Sequence, residues 1–449
     1  MTRLETRSGV GAGRSVPYRV TDPQFIDRER YYDRGFFELE KERLWPKVWQ
    51  MACRLEEIPA VGDYVEYTIC DQSVLVVRTG PDELKAYQNA CRHRATQLAL
   101  GTGTFRGGQI VCPFHGWRWN LDGSSSFVYG EQGFRPECVT EPELRLRECR
   151  VETWGGCAFI NLDPDARPLL EALDPISSLL DPLGVDRMRV YWWKAIRLKT
   201  NWKMAMEAFM EGWHVMQTHP QLTLGRPDEY SADALEYFVH PNGHSCFWNN
   251  PGVKPVWDPE HQVESLIESS RLLWEGLDAM TLARDMHVIE SLRTRPVPKE
   301  GIGAALVSAI FEYAAGAGIP LPMPEDPTAL VRWGGVFFLF PNYFILPQYG
   351  NALIYRSRPD GDDPESCYFE LWSVTIPPAH EPPRKPVLGG VFAPDDTTAW
   401  PLIPLQDFSN LERQQRGIHT LSFEGMRLAE RYELGISNMH QEVDAYLAR

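Results

Sequence analysis

Short runs of alternating apolar and polar residues fill the chain between about residues 49 and 162. Alternation with a period of two is typical of β-strands that have one buried face. Glycine, proline and aspartate separate the runs VGDYVEYTI, SVLVVRT, ELKAYQNA, GQIVCPF, GWRWNLDG and GGCAFINL. The pattern therefore predicts a small antiparallel β domain in this part of the chain.

The residues on either side of that region predict helices. Asp22 and Pro23 are typical of a helix N-cap and a first helical position, and the pattern stays amphipathic as far as Trp45. After the β region, the run MRVYWWKAIRLKT predicts a strand, and residues 201–217 predict one continuous helix. Helical segments are therefore expected both before and after the β domain.

The second half of the chain predicts another sheet with helices around it. Residues 220–330 are mixed and broken by proline, with one helical piece expected around 262–296. From Trp333, the runs GGVFFLFPNYFILPQYGNALIYRSRP and CYFELWSVTIPP alternate in the manner of strands. Two closing helices are expected at about 404–417 and 422–448. Strands followed by long helices favour an α+β domain.

Length and charge narrow the classes of protein to consider. A chain of 449 residues is too long for one ordinary core, so two domains are expected. The net charge of −16 disfavours nucleic acid or an anionic membrane as a partner. The nine cysteines are an odd number and mostly scattered, as in a reducing compartment. No apolar run suggests a membrane span or a secretory signal, so a soluble cytoplasmic protein is expected.

Two short motifs carry the first candidate metal site. Cys91-x-His93 and Cys112-x-x-His115 each supply one thiolate and one imidazole, and Gly116-Trp117 closes the second motif. A Rieske [2Fe–2S] cluster uses two cysteines on one iron and two histidines on the other. The spacing therefore predicts such a cluster. The alternative is a structural zinc site, which accepts the same ligands but more often groups Cys-x-x-Cys and then two histidines.

The predicted helix 201–217 and the residues that follow carry a second candidate site. Glu207, Glu211 and His214 would share one helix face. His219 could converge with His214 only if the helix ends between them, which Pro220 favours. Two imidazoles and one carboxylate form the facial triad of non-haem Fe(II) oxygenases. These residues therefore predict an iron site whose third ligand lies elsewhere in the chain.

These motifs together resemble the alpha, or oxygenase, subunits of Rieske non-haem iron ring-hydroxylating oxygenases. The resemblance covers nearly the whole length, from GDYVEYTI to the final helix. Besides the cluster motifs, it rests on three further segments: Asn201-Trp-Lys, Glu211-x-x-His214-x-x-x-x-His219 and Gln406-Asp407. It implies an α+β fold with a small antiparallel β Rieske [2Fe–2S] domain joined to a helix-grip, START-like α+β catalytic domain.

The resemblance also implies roles for particular residues. Asp407 would be the third ligand of a mononuclear Fe(II), beside His214 and His219, and Glu412 is the alternative ligand. The family usually has an aspartate just before the first iron histidine, where this chain has Glu211. We expect Glu211 to bridge electron transfer between a cluster histidine of one subunit and His214 of the next. Glutamate here resembles the branch of the family that acts on quaternary amines.

The implied domains are an N-terminal helical segment on the catalytic domain (1–45), a Rieske domain (46–162) and a catalytic domain (163–449). The implied assembly is a homotrimer, with or without a small beta subunit. A ferredoxin, an NAD(P)H-dependent flavin reductase or both would supply electrons. The cofactors would be the [2Fe–2S] cluster and the mononuclear Fe(II).

The expected activity is that of a terminal oxygenase that uses O2 to hydroxylate an apolar, aromatic or alicyclic substrate. Aromatic and apolar residues near the iron motif are candidate pocket walls; they are Phe209, Met210, Trp213, Phe340 and Phe344. Two alternatives stay open. The first is a monooxygenase or demethylase of quaternary amines or methoxy compounds, and the second is a Rieske electron carrier with a non-catalytic binding domain.

Overall fold

The computed structural model describes residues 15–223, 231–250, 252–253, 261–299 and 301–449. These residues form two compact units. The larger unit contains the described residues up to Glu40 together with Leu173–Pro382 and Leu388–Arg449. The smaller unit, called the β unit below, contains Lys41–Ala172 and Pro383–Val387. The divisions therefore fall after residues 40 and 172, where the sequence predicted 45 and 162.

Both units contain strands and helices. In chain order the strands are β1 (Phe25–Asp27), β2 (Gln50–Arg54), β3 (Asp63–Ile69), β4 (Gln72–Gly80), β5 (Glu83–Gln88), β6 (Thr102–Thr104), β7 (Gln109–Val111), β8 (Arg118–Asn120), β9 (Ser125–Phe127), β10 (Glu148–Trp154), β11 (Cys157–Asn161), β12 (Arg189–Leu198), β13 (Leu235–Val239), β14 (Ser245–Asn249), β15 (Val336–Leu339), β16 (Tyr343–Gln348), β17 (Asn351–Asp360), β18 (Asp363–Thr375), β19 (Val391–Phe392) and β20 (Gly425–Arg427).

The α-helices are α1 (Arg34–Leu39), α2 (Glu141–Leu144), α3 (Leu169–Leu173), α4 (Ile176–Leu180), α5 (Trp202–Glu207), α6 (Val215–Thr218), α7 (Gln262–Leu277), α8 (Ala283–Glu290), α9 (Ile302–Ala317), α10 (Leu402–Gly417) and α11 (Leu434–Leu447). Within the described ranges, no helix combines the length and the apolar composition that a membrane crossing requires.

The β unit is built from two sheets. One has the strand order β2-β11-β10-β5-β4-β3-β6, and the other has the order β7-β8-β9. The strand pairs are antiparallel, as the alternating pattern predicted. Buried Tyr87, Ile110, Trp117 and Trp119 pack in a core that also includes both motif cysteines. The hydrophobic core of this unit therefore holds one residue of each candidate metal-binding motif, Cys91 or Cys112.

The larger unit is organised on one sheet with the order β13-β14-β15-β16-β17-β18-β12-β19. All neighbouring strands are antiparallel except β12 and β19, which are parallel. Helix α5 packs on β17 and β18, helix α11 packs on β13 and β14, and helix α10 contacts α5 and β12. Helix α10, which carries Asp407, and helix α5, which precedes the segment with His214, are thereby placed against one sheet. The α+β fold class is confirmed.

The predicted helix from Asp22 to Trp45 is wrong in its first part. Asp22 instead accepts a hydrogen bond from the backbone of Gln24 at 2.9 Å, which makes a turn. The next residues form β1, which pairs with β20 near the other end of the chain. Helix α1 begins only at Arg34, where the Asp33 side chain accepts from Phe36 N at 2.8 Å. A distant strand partner overrides the local helix signal.

The single helix predicted over residues 201–217 is also wrong. Asn201 caps α5 by accepting from Lys203 N at 2.9 Å, but α5 ends at Glu207. A short second helix, α6, follows only at Val215. Glu211 and His214 therefore lie in an irregular turn between two helices and not on one helix face. The sequence gives no period change here, since the turn depends on tertiary contacts.

Three further helical regions differ from the predictions. The piece expected at 262–296 is divided into α7 and α8, which Asp278 separates in a left-handed conformation (φ 51°). Helix α9 was not predicted, although its alanine-rich sequence has high helix propensity. The closing helix begins at Leu434 and not near 422, because Gly425 and its neighbours form β20.

A buried ion pair fixes helix α5 in the larger unit. Lys203 Nζ lies 2.7 Å from Glu40 Oε1, and Trp202 Nε1 donates to Glu40 Oε2 at 3.2 Å. Both charged side chains are essentially inaccessible to solvent. Burial lowers the pKa of Lys203, while the Glu40 carboxylate raises it. Each charge is therefore tolerated inside the unit only because the other is present.

Replacing Lys203 by Met should lower the free energy of unfolding by about 3–5 kcal/mol, because Glu40 would remain buried without its countercharge. Denaturant unfolding followed by circular dichroism measures this loss. Arg293→Met is the matched control, since Arg293 pairs with Glu264 at 2.8 Å on the surface of the same unit. The control should unfold at the wild-type midpoint. Equal midpoints for both variants would contradict the role given to the buried pair.

Candidate metal centres

The first candidate centre lies in two adjacent loops of the β unit. Cys91 and His93 lie in the loop between β5 and β6, and Cys112 and His115 lie in the loop between β7 and β8. The two Nδ1 atoms of His93 and His115 are 3.3 Å apart. Two nitrogens bound to one ion at about 2.1 Å in tetrahedral geometry would be about 3.4 Å apart. The two imidazoles are thus already placed to share one metal ion.

The backbone of the second loop is a tight turn. Gly116 has a φ of 71°, and its N–H donates to Cys112 O at 3.1 Å. Cys112 N in turn donates to Trp117 O at 2.9 Å. A positive φ is favourable for glycine, which explains the residue at this point. The Trp117 ring stacks on His93 with ring centres 4.7 Å apart, and this contact fixes the imidazole.

The cysteine and histidine residues of this centre differ in their exposure to solvent. Cys91 and Cys112 are buried, whereas His93 and His115 are half-buried. Burial, together with the neighbouring Cys112, raises the pKa of the Cys91 thiol to about 11, although hydrogen bonds from the backbone N–H groups of His93 and Arg94 lower it. Such a thiol stays protonated at neutral pH unless a cation binds its thiolate. Two buried thiols behind two more accessible imidazoles fit the ligand set of a Rieske cluster.

The second candidate centre lies in the larger unit and joins three distant segments. His214, His219 and Asp407 each offer a ligand atom, and these atoms all lie within 4.8 Å of one another. His214 lies just before α6, His219 just after it, and Asp407 on α10. His219 and Asp407 are buried. The structure therefore brings together the set that the sequence and the resemblance predicted.

Glu211 orients the first histidine. Its Oε1 lies 2.7 Å from His214 Nδ1, and its Oε2 accepts from the backbone N–H groups of Trp213 and His214 at 2.7 and 3.0 Å. The carboxylate thus forms the turn and fixes the imidazole at once, leaving Nε2 for a metal ion. Burial lowers the pKa of His214, but Glu211 and Asp407 outweigh it and raise the pKa above its ordinary value.

Gln406 orients the second histidine. Its Oε1 lies 2.8 Å from His219 Nδ1 and also accepts from Gln221 Nε2 at 2.9 Å. An amide oxygen only accepts, so Nδ1 of His219 is the donor in this contact, and Nε2 is the ring atom that faces Asp407 and can bind a metal ion. The sequence motif Gln406-Asp407 contained this residue, but the pattern alone did not reveal its role.

The second site fits a metal cation. His219 Nε2 lies 3.0 Å from Asp407 Oδ1, so the two groups form an ion pair when Nε2 carries a proton, and a metal cation can take the place of that proton. Two imidazoles and one carboxylate are the donor set of non-haem Fe(II) sites with open positions. Glu412, the alternative third ligand, instead accepts from Lys199 N at 3.3 Å.

A cavity of about 360 Å³ adjoins this second centre. It is called the triad cavity below, and its lining includes Glu207, Glu211, His214, Asp407, Asn410, Phe423, Met426, Arg427, Leu428, Glu433 and Ile436. None of the five predicted pocket residues is among the described residues that line it. The wall of this cavity is therefore more polar than the prediction of an aromatic pocket.

The structure places the five predicted pocket residues in the core of the larger unit or at its surface. Phe209 packs on Tyr355 and Phe344 at ring distances of 4.4 and 6.3 Å. Phe340 stacks on Tyr446 at 5.9 Å, and Met210 is buried. Trp213 remains 39% exposed. Four of the five side chains are therefore buried in the larger unit, and their contact with a substrate stays a prediction.

Two family models match the chain. The model of the Rieske [2Fe–2S] domain matches residues 48–129. The model described as ring hydroxylating alpha subunit (catalytic domain) matches residues 185–449, which is more than half of the chain. The first match contains both cluster motifs, and the second contains the three residues of the other candidate centre.

Curated relatives act on different substrates. The chain is 31% identical over 237 residues to the alpha subunit of 2-aminobenzenesulfonate 2,3-dioxygenase of Alcaligenes sp. (51% of this chain, 58% of the relative). It is 30% identical over 315 residues to the large subunit of anthranilate 1,2-dioxygenase of Acinetobacter baylyi (62% and 64%). It is 30% identical over 192 residues to the oxygenase subunit of glycine betaine monooxygenase of Pseudomonas aeruginosa (43% and 44%). The chain thus spans less than two thirds of the length of each.

Solved structures share the fold. The quaternary ammonium Rieske monooxygenase CntA in complex with L-carnitine superposes with a TM-score of 0.64 and 17% identity, over 97% of this chain and 100% of that one. Naphthalene 1,2-dioxygenase with indole bound gives a TM-score of 0.65 and 17% identity, over 98% and 95% of the two chains. At this identity, the likeness concerns the fold.

Replacing Gln406 by Ala should weaken Fe(II) binding by about 10–100-fold, because His219 would lose the acceptor that holds its ring. Anaerobic titration of the metal-depleted protein with Fe(II) measures the affinity. Gln406→Glu keeps an acceptor oxygen and should keep the wild-type affinity. Arg413→Ala, an exposed change on the same helix, is the control. Wild-type affinity in the alanine variant would show that Gln406 does not position His219.

Proposed function

We propose that this chain, which belongs to the family of ring-hydroxylating oxygenase alpha subunits, is the terminal oxygenase of a multicomponent Rieske system. It would use O2 and electrons relayed from NAD(P)H to hydroxylate an organic substrate. One observation supports this most directly: the approach of His219 Nε2 to Asp407 Oδ1 at 3.0 Å beside His214. A pure electron carrier would not require such a second site, so that alternative is not favoured.

The two centres would have different roles, electron supply at one and activation of O2 at the other. The Rieske cluster would be held by Cys91, His93, Cys112 and His115, and the mononuclear Fe(II) by His214, His219 and Asp407. When bound, the cluster supplies electrons and the iron supplies activation of O2. The protein residues orient the ligands, keep the buried thiols and carboxylate beside their cations, and shape the triad cavity.

Glu211 would connect the two kinds of centre in the assembled enzyme. Its Oε1 already accepts from His214 Nδ1 and, like any carboxylate oxygen, can accept a further bond. In a homotrimer, with or without a small beta subunit, that second donor would be the outward N–H of a cluster histidine of another copy. A hydrogen-bonded carboxylate between two ligand imidazoles gives a short electronic path.

The electron donor would be a ferredoxin, a flavin reductase or both. The half-buried imidazoles of His93 and His115 would face Glu211 of another copy. The electron donor would therefore dock on a part of the β unit that this contact leaves accessible.

The substrate we propose first is an aromatic or alicyclic compound. Apolar side chains supply part of the triad cavity, among them Phe423, Met426 and Ile436. The second candidate is an amine, which one observation favours: Glu207, Glu211 and Glu433 face the same cavity with Asp407. Among the relatives, 2-aminobenzenesulfonate, anthranilate and glycine betaine each contain nitrogen. Product formation from hydrocarbons, amino-aromatic acids and betaines, with a surrogate reductase, separates the two classes.

Iron analysis with electron paramagnetic resonance should find about three irons per chain and a Rieske-type signal after reduction, since the cluster itself has two. Asp407→Ala should keep the signal and drop to about two irons, because the triad loses its carboxylate. Glu412→Ala is the matched control on the same helix and should keep about three. Zinc in place of iron, with no signal, would contradict the proposed function.

Glu211→Gln should keep the cluster and the mononuclear iron but slow oxidation of the reduced cluster by O2 about 10–100-fold. The amide keeps an acceptor for His214 but loses the charge that makes the two hydrogen bonds strong. A single-turnover experiment follows the loss of the reduced-cluster signal. Glu430→Gln, an exposed acid in the same unit, is the control. Wild-type kinetics in Glu211→Gln would refute the bridging role.

A further inference from the structure

A buried polar network lies behind the triad cavity and is not used by the two metal centres. At its edge is Glu207, the last residue of α5, which lines the cavity. Tyr31 Oη lies 3.1 and 3.0 Å from the two carboxyl oxygens of Glu207, and His440 Nε2 lies 2.8 Å from Oε1. Tyr31 and His440 are fully buried, and Glu207 is 6% exposed. One carboxyl group thus faces both the network and the cavity.

Arg30 determines which ring nitrogen of His440 carries the proton. Its Nε–H donates to His440 Nδ1 at 3.0 Å, and a guanidinium has no acceptor. The neutral imidazole therefore carries its proton on Nε2, which donates to Glu207 Oε1. Burial, then Arg30 and Lys203, hold the pKa of His440 well below its ordinary value. His440 is consequently a fixed neutral donor to the carboxyl group.

Glu207 is unusual among the buried acids of this unit. Burial, with a smaller contribution from Glu433, raises its pKa to about 8, even though the Tyr31 hydrogen bond and the charges of Lys203 and Arg30 lower it. The Lys203 charge is already paired with Glu40, and Arg30 is paired with Asp444 at 2.7 Å. The other charged residues that line the same cavity include Glu211, Asp407 and Arg427.

We propose that Glu207 is a proton donor to the triad cavity, and that Tyr31 and His440 stabilise the carboxylate left after the proton has been given up. The proposal rests on the proposed function, because that reaction consumes protons where the cavity is. A residue in this role must face the cavity, remain neutral before transfer and have donors ready for the new charge. Glu207 meets all three conditions.

The overall reaction balances with this role. Hydroxylation follows RH + O2 + 2e⁻ + 2H⁺ → ROH + H2O, and dihydroxylation takes the same electrons and protons into a diol. The electrons come from the reductase system through the cluster. At Glu207 the carboxylic O–H bond breaks, its electron pair stays on the carboxylate, and a new O–H bond forms on oxygen derived from O2. Water in the cavity then returns a proton to the carboxylate.

Proton donation by Glu207 predicts a pH dependence with a definite sign. The neutral acid is present below a pH of about 8 and is lost as the pH rises through that value. The rate of product formation should therefore fall as the pH rises above about 8. Tyr31→Phe removes a hydrogen bond that lowers the pKa of Glu207, so the alkaline fall should move to higher pH. A purely structural role for Tyr31 would change the rate or the stability without moving the fall.

The first experiment does not depend on substrate. Infrared difference spectra of the iron-loaded protein between pH 6 and pH 10 should show a protonated carboxyl band that disappears through a pH of about 8. The band should be absent in Glu207→Gln and retained in Glu430→Gln. Glu430 is an exposed acid of the same unit that does not line the triad cavity, so its replacement leaves the network around Glu207 unchanged. Absence of the band from the wild-type protein would overturn the proposal.

The second experiment measures coupled turnover and peroxide release with the surrogate reductase. Glu207→Gln should lower product formation by about 100-fold, within the range for a lost general acid, and raise the share of O2 released as peroxide. Iron content and cluster reduction should stay at wild-type values. Unchanged product formation in a folded Glu207→Gln protein would overturn the donor role alone. Wild-type protein that binds neither cluster nor iron would instead contradict the proposed function.

Discussion

The buried contact between His219 Nε2 and Asp407 Oδ1 is the constraint on which the candidate iron site depends. At 3.0 Å and away from water, the Asp407 carboxylate requires a positive charge beside it. A proton on Nε2 supplies that charge in the ion pair, and a metal cation in its place supplies it at a ligand site. The hydrogen bond from His219 Nδ1 to Gln406 prevents the ring from escaping by a flip. The fold therefore holds a geometry that a cation completes.

That geometry requires the helix that follows His214 to end before His219. A continuous helix would point the two rings in different directions, whereas α6 ends at Thr218 and His219 has non-helical backbone angles, which bring its ring to Asp407 beside His214. Gly212 permits the close approach of Leu235 to the segment before α6, since a Cβ there would lie 2.4 Å from Leu235 Cδ1. Glu211 then satisfies the backbone N–H groups that the broken helix leaves open. The same carboxylate that ends the irregular segment also orients the ligand.

Local spacing explains which parts the sequence could predict. The cluster motifs are short, and each loop is shaped by its own backbone bonds, so Cys91, His93, Cys112 and His115 could be found from their pattern alone. Asp407 lies far from both histidines in sequence, and only the resemblance pointed to it. The predicted helix over 201–217 failed because its interruption depends on tertiary contacts. The pairing of β1 with β20 likewise joins distant segments and has no local signal.

Burial alone does not decide what an acid can do, as two carboxyl groups near α5 demonstrate. Glu40 lies 2.7 Å from the Lys203 ammonium, so a negative charge on it has a direct counterion. Glu207 has the neutral donors Tyr31 and His440, and its nearest cations are engaged elsewhere. Neutral donors stabilise a carboxylate less than an ammonium does, which leaves the acid and its anion close in free energy. Such a carboxyl group can both give up and take back a proton. Because Glu207 lies in the cavity wall, it can donate that proton to a group in the cavity.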